Sequence, residues 1–142
     1  MTSAFDNLCG PAKPLKAEPP DAKEFAGLLR SAATRLKDAG TEGLALESRF
    51  DLAYNAAHAF CLAALRWHGY RSINRYVVFQ LLPHTLGLGP EVWRVLAKCH
   101  EIRNLGEYEG ELNVDERIVT DLVTASKAVA AKVRALPPIA NE

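Results

Sequence analysis

The stretch LALESRFDLAYNAAHAFCLAALRWH, Leu44 to His68, carries the longest helical pattern in the chain. Phe50, Tyr54, Ala57, Cys61, Ala64, Leu65 and His68 recur in it at steps of three and four, the spacing that lines one face of an α-helix. No proline interrupts it, and Gly69 ends it. Working outward, the same period returns on both sides. Towards the N-terminus, Phe25, Leu28, Leu29, Ala32 and Leu36 form a stripe on a predicted helix from Asp21 to Ala39. Asp21 and Glu24 stand as a capping-box pair at its start, and Gly40 ends it. Towards the C-terminus, a short helix is predicted over 73–82, limited by Pro83. Another opens at Pro90 and runs towards Asn104, with Val92, Leu96 and Cys99 on its inner stripe. The last runs from Asp115 to Leu136 along Ile118, Leu122, Ala125, Val129, Val133 and Leu136. No segment reads as a convincing strand. The fold class is therefore all-α, and short connections between long helices predict an antiparallel bundle of four to five helices.

The flanks read differently. Residues 1–20 hold Pro11, Pro14, Pro19 and Pro20 with Gly10, which predicts a flexible leader. Residues 137–142 predict a flexible tail, leaving 21–136 as the helical domain.

Of 142 residues, 17 are lysine or arginine and 17 are aspartate or glutamate, so the formal net charge is zero. A hydrophobic fraction of 49% excludes disorder throughout, and the charge balance excludes a generally basic coat for nucleic acid or an acidic mimic of it. Any nucleic-acid contact would need a local patch. The three cysteines, Cys9, Cys61 and Cys99, are odd in number and far apart, unlike a disulfide framework. A reducing cytoplasm is the expected compartment. No window approaches the roughly 20 apolar residues of a membrane helix, so no membrane association is expected.

Four constellations carry polar chemistry. The first is Arg103-Asn104-Leu105-Gly106-Glu107-Tyr108. Arg103 falls on the stripe of Val92, Leu96 and Cys99, so it faces the core or a second subunit. A guanidinium there needs a carboxylate, a carbonyl or a phosphate. Glu107 is in reach if the helix continues past Gly106, and a structural ion pair closing the bundle accounts for the same residues. The second is Asp51, Asn55 and His58, on one face of the long helix at i, i+4 and i+7. Asp51 is a candidate partner for Arg103 across the bundle, and His58 is then a candidate to transfer protons near its unperturbed pKa. A partly exposed polar stripe without chemistry is the plainer account. The third is the run from Arg66 to Tyr76, where Arg66, Arg71 and Arg75 interleave with Trp67, Tyr70 and Tyr76. Arginine pairs with phosphate and stacks on bases, so this is a possible basic patch for nucleic acid. Bases near a helix end, followed by a polar turn, explain it equally. The fourth is acidic: Glu107, Glu109, Glu111, Asp115 and Glu116 would repel phosphate or form a solvated loop. His58, His68, His84, His100 and the cysteines show no metal-ligand spacing, and no cofactor is expected. No glycine-rich phosphate loop or nucleophile elbow is present.

Taken in order, Ser48–His58, Leu65–Arg71 and Ile102–Glu109 resemble the HEPN superfamily (higher eukaryotes and prokaryotes nucleotide-binding) over about Asp21 to Leu136. The nearest likeness is to bacterial HEPN-like proteins with an Arg-Asn-x-x-Glu-Tyr signature. The resemblance implies a helical bundle that dimerises about its long central helices. It also implies, in the active ribonucleases, an arginine and a histidine from two subunits that cut RNA without metal. Arg103 and Asn104 match the arginine and the polar residue after it, whereas Tyr108 stands where the histidine would be. Tyrosine titrates near 10 and is a poor base at neutral pH. Gly110 occupies the place of the tyrosine that partner enzymes nucleotidylate in some toxin members.

Three functions follow from these residues. One is a non-catalytic HEPN-like protein that binds nucleotide, RNA or a partner protein in a toxin–antitoxin or defence-type system, with a nucleotidyltransferase or an antitoxin as the partner. The second is a diverged metal-independent ribonuclease in which His58 or His100 replaces the missing histidine. The third is a structural dimerisation module. Each expects a homodimer, with Arg103, Asn104, Glu107, Tyr108, Asp51, Asn55 and His58 lining the cleft.

Overall fold

The computed structural model describes residues 4–140. Residues 1–3 and 141–142, the outer ends of the expected leader and tail, lie outside them. Among the described residues the chain is mostly helical, with 67% of them in helices. Among the described residues six α-helices follow one another: α1 Ala22–Ala39, α2 Leu46–Trp67, α3 Arg75–Gln80, α4 Leu82–Thr85, α5 Pro90–Glu109 and α6 Glu116–Arg134. None of them is long and apolar enough to cross a membrane.

Helix α2 is the centre of the packing. It is covered by α1 and α6 along its length and touched by α3, α4 and α5, while α6 also packs on α5. Its composition explains this. Ala53, Ala56, Ala57, Ala59, Ala63 and Ala64 are all buried, and their short side chains let neighbouring helices close in on several sides. Phe50, Tyr54, Phe60 and Leu65 fill the space between helices and are fully buried. Each large apolar side chain so buried contributes about 1.5–3 kcal/mol. Asp21 caps α1 by accepting from the amides of Lys23 and Glu24, and Asp115 caps α6 by accepting from Ile118 N.

Several local expectations are corrected. The leader is packed, not loose: Phe5 and Leu15 are buried, and Lys16–Ala17 (β1) pairs antiparallel with Tyr70–Arg71 (β2). The Phe5 ring stacks on Tyr70 at 5.0 Å and lies against His68. Its prolines limit helix formation without preventing apolar burial. The tail is also tethered, since Trp67 Nε1 donates to Pro137 O at 2.8 Å. Glu24 does not close a capping box, because its carboxylate turns to Arg66 and Arg71. Pro83 does not end a helix; it sits in the first turn of α4, where its missing N–H costs nothing. Helix α5 runs through Gly106 to Glu109 and ends at Gly110, whose φ of +78° is the left-handed conformation that favours glycine. Gly106 gives Leu112 room: a Cβ there would lie 2.8 Å from Leu112 Cδ1 and 3.3 Å from Leu112 Cα, so a larger residue would have to displace Leu112.

Candidate functional site

The polar centre of the molecule is built on Tyr54. Its ring is fully buried between α2, α3 and α5, and two guanidiniums cover it: Arg103 Cζ lies 5.1 Å from the ring centroid and Arg75 Cζ 5.5 Å. Cation–π geometry of this kind holds an arginine on an aromatic face at little desolvation cost. Tyr54 Oη lies 2.7 Å from His100 Nδ1, and Asn104 Nδ2 lies 3.1 Å from His100 Nε2. With the Asn104 amide donating, the ring proton sits on Nδ1 and is donated to Tyr54 Oη; turning the amide over reverses the chain. Tyr76 covers His100 at 5.8 Å, and Arg75 Nη1 donates to Asn55 Oδ1 at 3.0 Å. His58 packs edge-on against Phe79 at 6.0 Å, and its Nε2 is buried without a hydrogen-bond partner among the described residues.

The electrostatics follow from this packing. Burial, then the charges of Arg75 and Arg103 and the neighbouring His100, push the His58 imidazole down to about 4. Burial, then Arg103 and Arg75, also lowers His100 below its ordinary value of 6.5. Burial raises the Tyr54 phenol, although Arg75 and Arg103 oppose the shift. The site therefore holds two fixed cations and two neutral imidazoles at neutral pH. It can accept an oxyanion through guanidinium N–H groups, and a proton through His100.

The expected residues separate into three groups. Arg103, Asn104, Asn55 and His58 come together around Tyr54 and His100. Glu107 pairs with Arg103 at 3.1 Å, as the continued helix allows. Asp51 lies in the same cleft of about 250 Å³, with Glu47, Glu107 and Glu111, but makes no ion pair with Arg103 within 4.0 Å. Instead the Asp51 carbonyl accepts from Asn55 Nδ2 at 2.9 Å. Tyr108 does not reach the cleft. It stands five residues after Arg103, about 140° around the helix, and is 90% exposed.

The basic patch does not form. Arg66 is 2% exposed and points inward, donating to Glu24 Oε1 at 2.6 Å, Glu18 O at 2.8 Å and Pro19 O at 2.7 Å. Arg71 pairs with the same two carboxylates. Arg75, half-buried like Arg71, lies apart from both, against Tyr54 and Asn55. Sequence spacing could not separate them, because Gly69 and the β2 turn redirect the chain between Arg66 and Arg75. Tyr54 was legible only as a core residue. The available signal for His100 was its position at i and i+4 from Asn104, one turn before Arg103. Among the described residues no three histidine, cysteine or acidic side chains are grouped to hold a metal ion.

No family model, curated protein or solved structure matches the chain.

Proposed function

We propose that the protein is a HEPN-like helical-bundle domain, non-catalytic, that binds a nucleotide or RNA, or a partner protein, at the cluster of Arg103, Asn104 and Arg75 around Tyr54. The observation that carries this reading is the pair of guanidiniums held on the single ring of Tyr54, beside an imidazole and two side-chain amides. Arg75 makes no ion pair with a carboxylate among the described residues, so its charge is available to a phosphate. Leu105 and Tyr108, 56% and 90% exposed on α5, suit an interface with a second copy or with an antitoxin or nucleotidyltransferase partner. The departure at Tyr108 supports binding over cleavage.

Fluorescence anisotropy of a labelled short RNA at low salt tests this, with Arg103→Ala as the control of known fold by circular dichroism. Binding by the wild type and its loss in the variant are expected. No affinity for RNA or for nucleotides removes the nucleic-acid reading and leaves the partner-protein one. Sedimentation at micromolar concentration tests the homodimer.

One observation favours a second reading, a diverged metal-independent ribonuclease. His100, one of the two candidate histidines, is hydrogen-bonded within the same cluster as Arg103. Cleavage of RNA by purified protein, abolished in both Arg103→Ala and His100→Gln, would establish it.

A further inference from the structure

Helix α5 turns one stripe of side chains away from the core. Val92, Leu96 and Cys99 are buried on its inner side, whereas Arg94, Lys98, Glu101, Leu105, Tyr108 and Glu109 are all exposed. From Arg94 to Tyr108 these residues recur at steps of four and three, so they run along one outward face, with Glu109 at its edge. The stripe is divided by charge. Its first half is basic, with Arg94 and Lys98. Its second half is acidic, with Glu101 and Glu109 around the apolar pair Leu105 and Tyr108. Beside the basic half, Val95 and Ile118 line a groove of about 220 Å³ between α5 and α6, where Asp121 is the one acid. Among the described residues Arg94, Lys98, Glu101 and Glu109 make no ion pair within 4.0 Å, and the Arg94 guanidinium rests 5.6 Å from the Trp93 ring.

We infer that α5 packs against α5 of a second copy, antiparallel about a two-fold axis at Glu101 and Ile102, so that the Leu105–Tyr108 end of each helix covers the groove of the other. The inference rests on the second-copy reading of Leu105 and Tyr108, and deepens it by naming the surface that receives them. The charge pattern selects this occupant. Read from opposite ends about that axis, Arg94 matches Glu109, Val95 matches Tyr108, and the alkyl stem of Lys98 matches Leu105. A two-fold axis makes each of these contacts twice. A parallel arrangement would instead set Arg94 against Arg94 and Glu109 against Glu109. Glu101 does approach its own copy at the axis, and the Lys98 of each helix, one turn away, offsets that repulsion. Exposed ion pairs contribute little singly, so the charges fix direction while burial of Tyr108 and Leu105 supplies affinity. The stripe from Arg94 to Glu109 is about 22 Å long. Arg103 and His100 lie on the other side of the helix, so the contact leaves the Tyr54 cluster uncovered.

Sedimentation velocity of the full chain over the micromolar range tests this, at low and at high salt. The expected result is a monomer–dimer equilibrium that weakens as salt screens the exposed pairs. Tyr108→Ala should weaken dimerisation by at least about tenfold. Arg94→Glu and Glu109→Lys should each weaken it by about tenfold, because each sets like charges together at both ends of the contact. The double variant Arg94→Glu/Glu109→Lys restores opposite charges and should recover wild-type association. These side chains are exposed, so circular dichroism should show the fold unchanged in every variant. Glu101→Cys, at the axis, should form a covalent dimer under mild oxidation, whereas Lys127→Cys, exposed on α6, should not exceed the wild type. A dimer that Tyr108→Ala weakens but that forms no Glu101→Cys cross-link overturns the antiparallel contact and keeps the second-copy reading. Failure of the double variant to recover association does the same. A dimer indifferent to Tyr108→Ala, or a wild type that stays monomeric at low salt, overturns both.

Discussion

Arg66 Nε lies 2.6 Å from Glu24 Oε1, in a position where the arginine is 2% exposed and the carboxylate is at the rim. The contact joins the end of α2 to the first turn of α1. The same guanidinium also holds the backbone of Glu18 and Pro19, so one side chain fastens three segments. A buried arginine that loses its carboxylate keeps its desolvation cost without the compensating charge. Glu24→Gln should therefore destabilise the fold by about 1–3 kcal/mol, less than for a fully enclosed pair because the carboxylate is partly solvated and two carbonyls remain. Urea denaturation followed by circular dichroism measures it. An unchanged midpoint would mean that the carbonyl contacts alone hold Arg66.

The same cluster predicts how stability varies with acid. The hydrogen bond from Arg71, reinforced by the charges of Arg71 and Arg66, holds Glu18 below its ordinary value of 4.5. Burial pushes Glu24 up, but hydrogen bonds from Arg71 and Arg66 outweigh it and leave that carboxyl lowered too. Both carboxyls bind protons more weakly folded than unfolded. Their contribution is complete above about pH 4.5 and is lost as pH falls through the lowered values. A stability curve should fall below that pH, and Glu24→Gln should flatten part of the fall. A wild-type curve that stays level in that range would contradict the ion-pair account.

The N-terminal segment gives a prediction of its own. Phe5 packs on His68, Tyr70 and His84, and Leu15 is 2% exposed. Removing residues 1–17 exposes those partners and the β2 strand, while leaving Glu18 and Pro19 for Arg66. The loss should be about 2–5 kcal/mol, lowering the melting temperature by roughly 10 °C or more. Thermal denaturation of the truncated chain measures this. An unchanged melting temperature would restore the flexible-leader expectation.

These corrections show where the sequence was readable. The stripes of α1, α2, α5 and α6 were legible because burial on one face writes a helical period into the chain. The capping of α1 by Asp21 and α6 by Asp115 was legible because a cap is a local contact. The destinations of Glu24, Arg66 and Arg71 were not, because each pairs with a residue more than 40 positions away or across a turn. The leader was misread for the same reason: prolines signal the absence of a helix but say nothing of where Phe5 and Leu15 are buried. At the candidate site, Arg103, Asn104, Asn55 and His58 were found by facing, whereas Tyr54 was hidden among apolar neighbours with the same spacing.

His58 offers the sharpest separation between a structural and a titrating role. Its Nε2 is buried and unpartnered, and its ring lies edge-on to Phe79. Burial, together with the charges of Arg75 and Arg103, lowers its pKa from 6.5 to about 4. The unfolded chain therefore binds a proton at mildly acidic pH that the folded chain refuses. Stability should be fully retained above pH 6.5 and should decline as pH falls towards 4, by up to roughly 3 kcal/mol from this residue. His58→Phe keeps the aromatic contact, removes the unsatisfied nitrogen and cannot titrate. The variant should be as stable as the wild type or more so at pH 7, with a flatter curve between pH 6.5 and 4. Denaturation midpoints at four or five pH values compare the two. A variant that is less stable at pH 7 would instead mean that His58 Nε2 has a partner in solution.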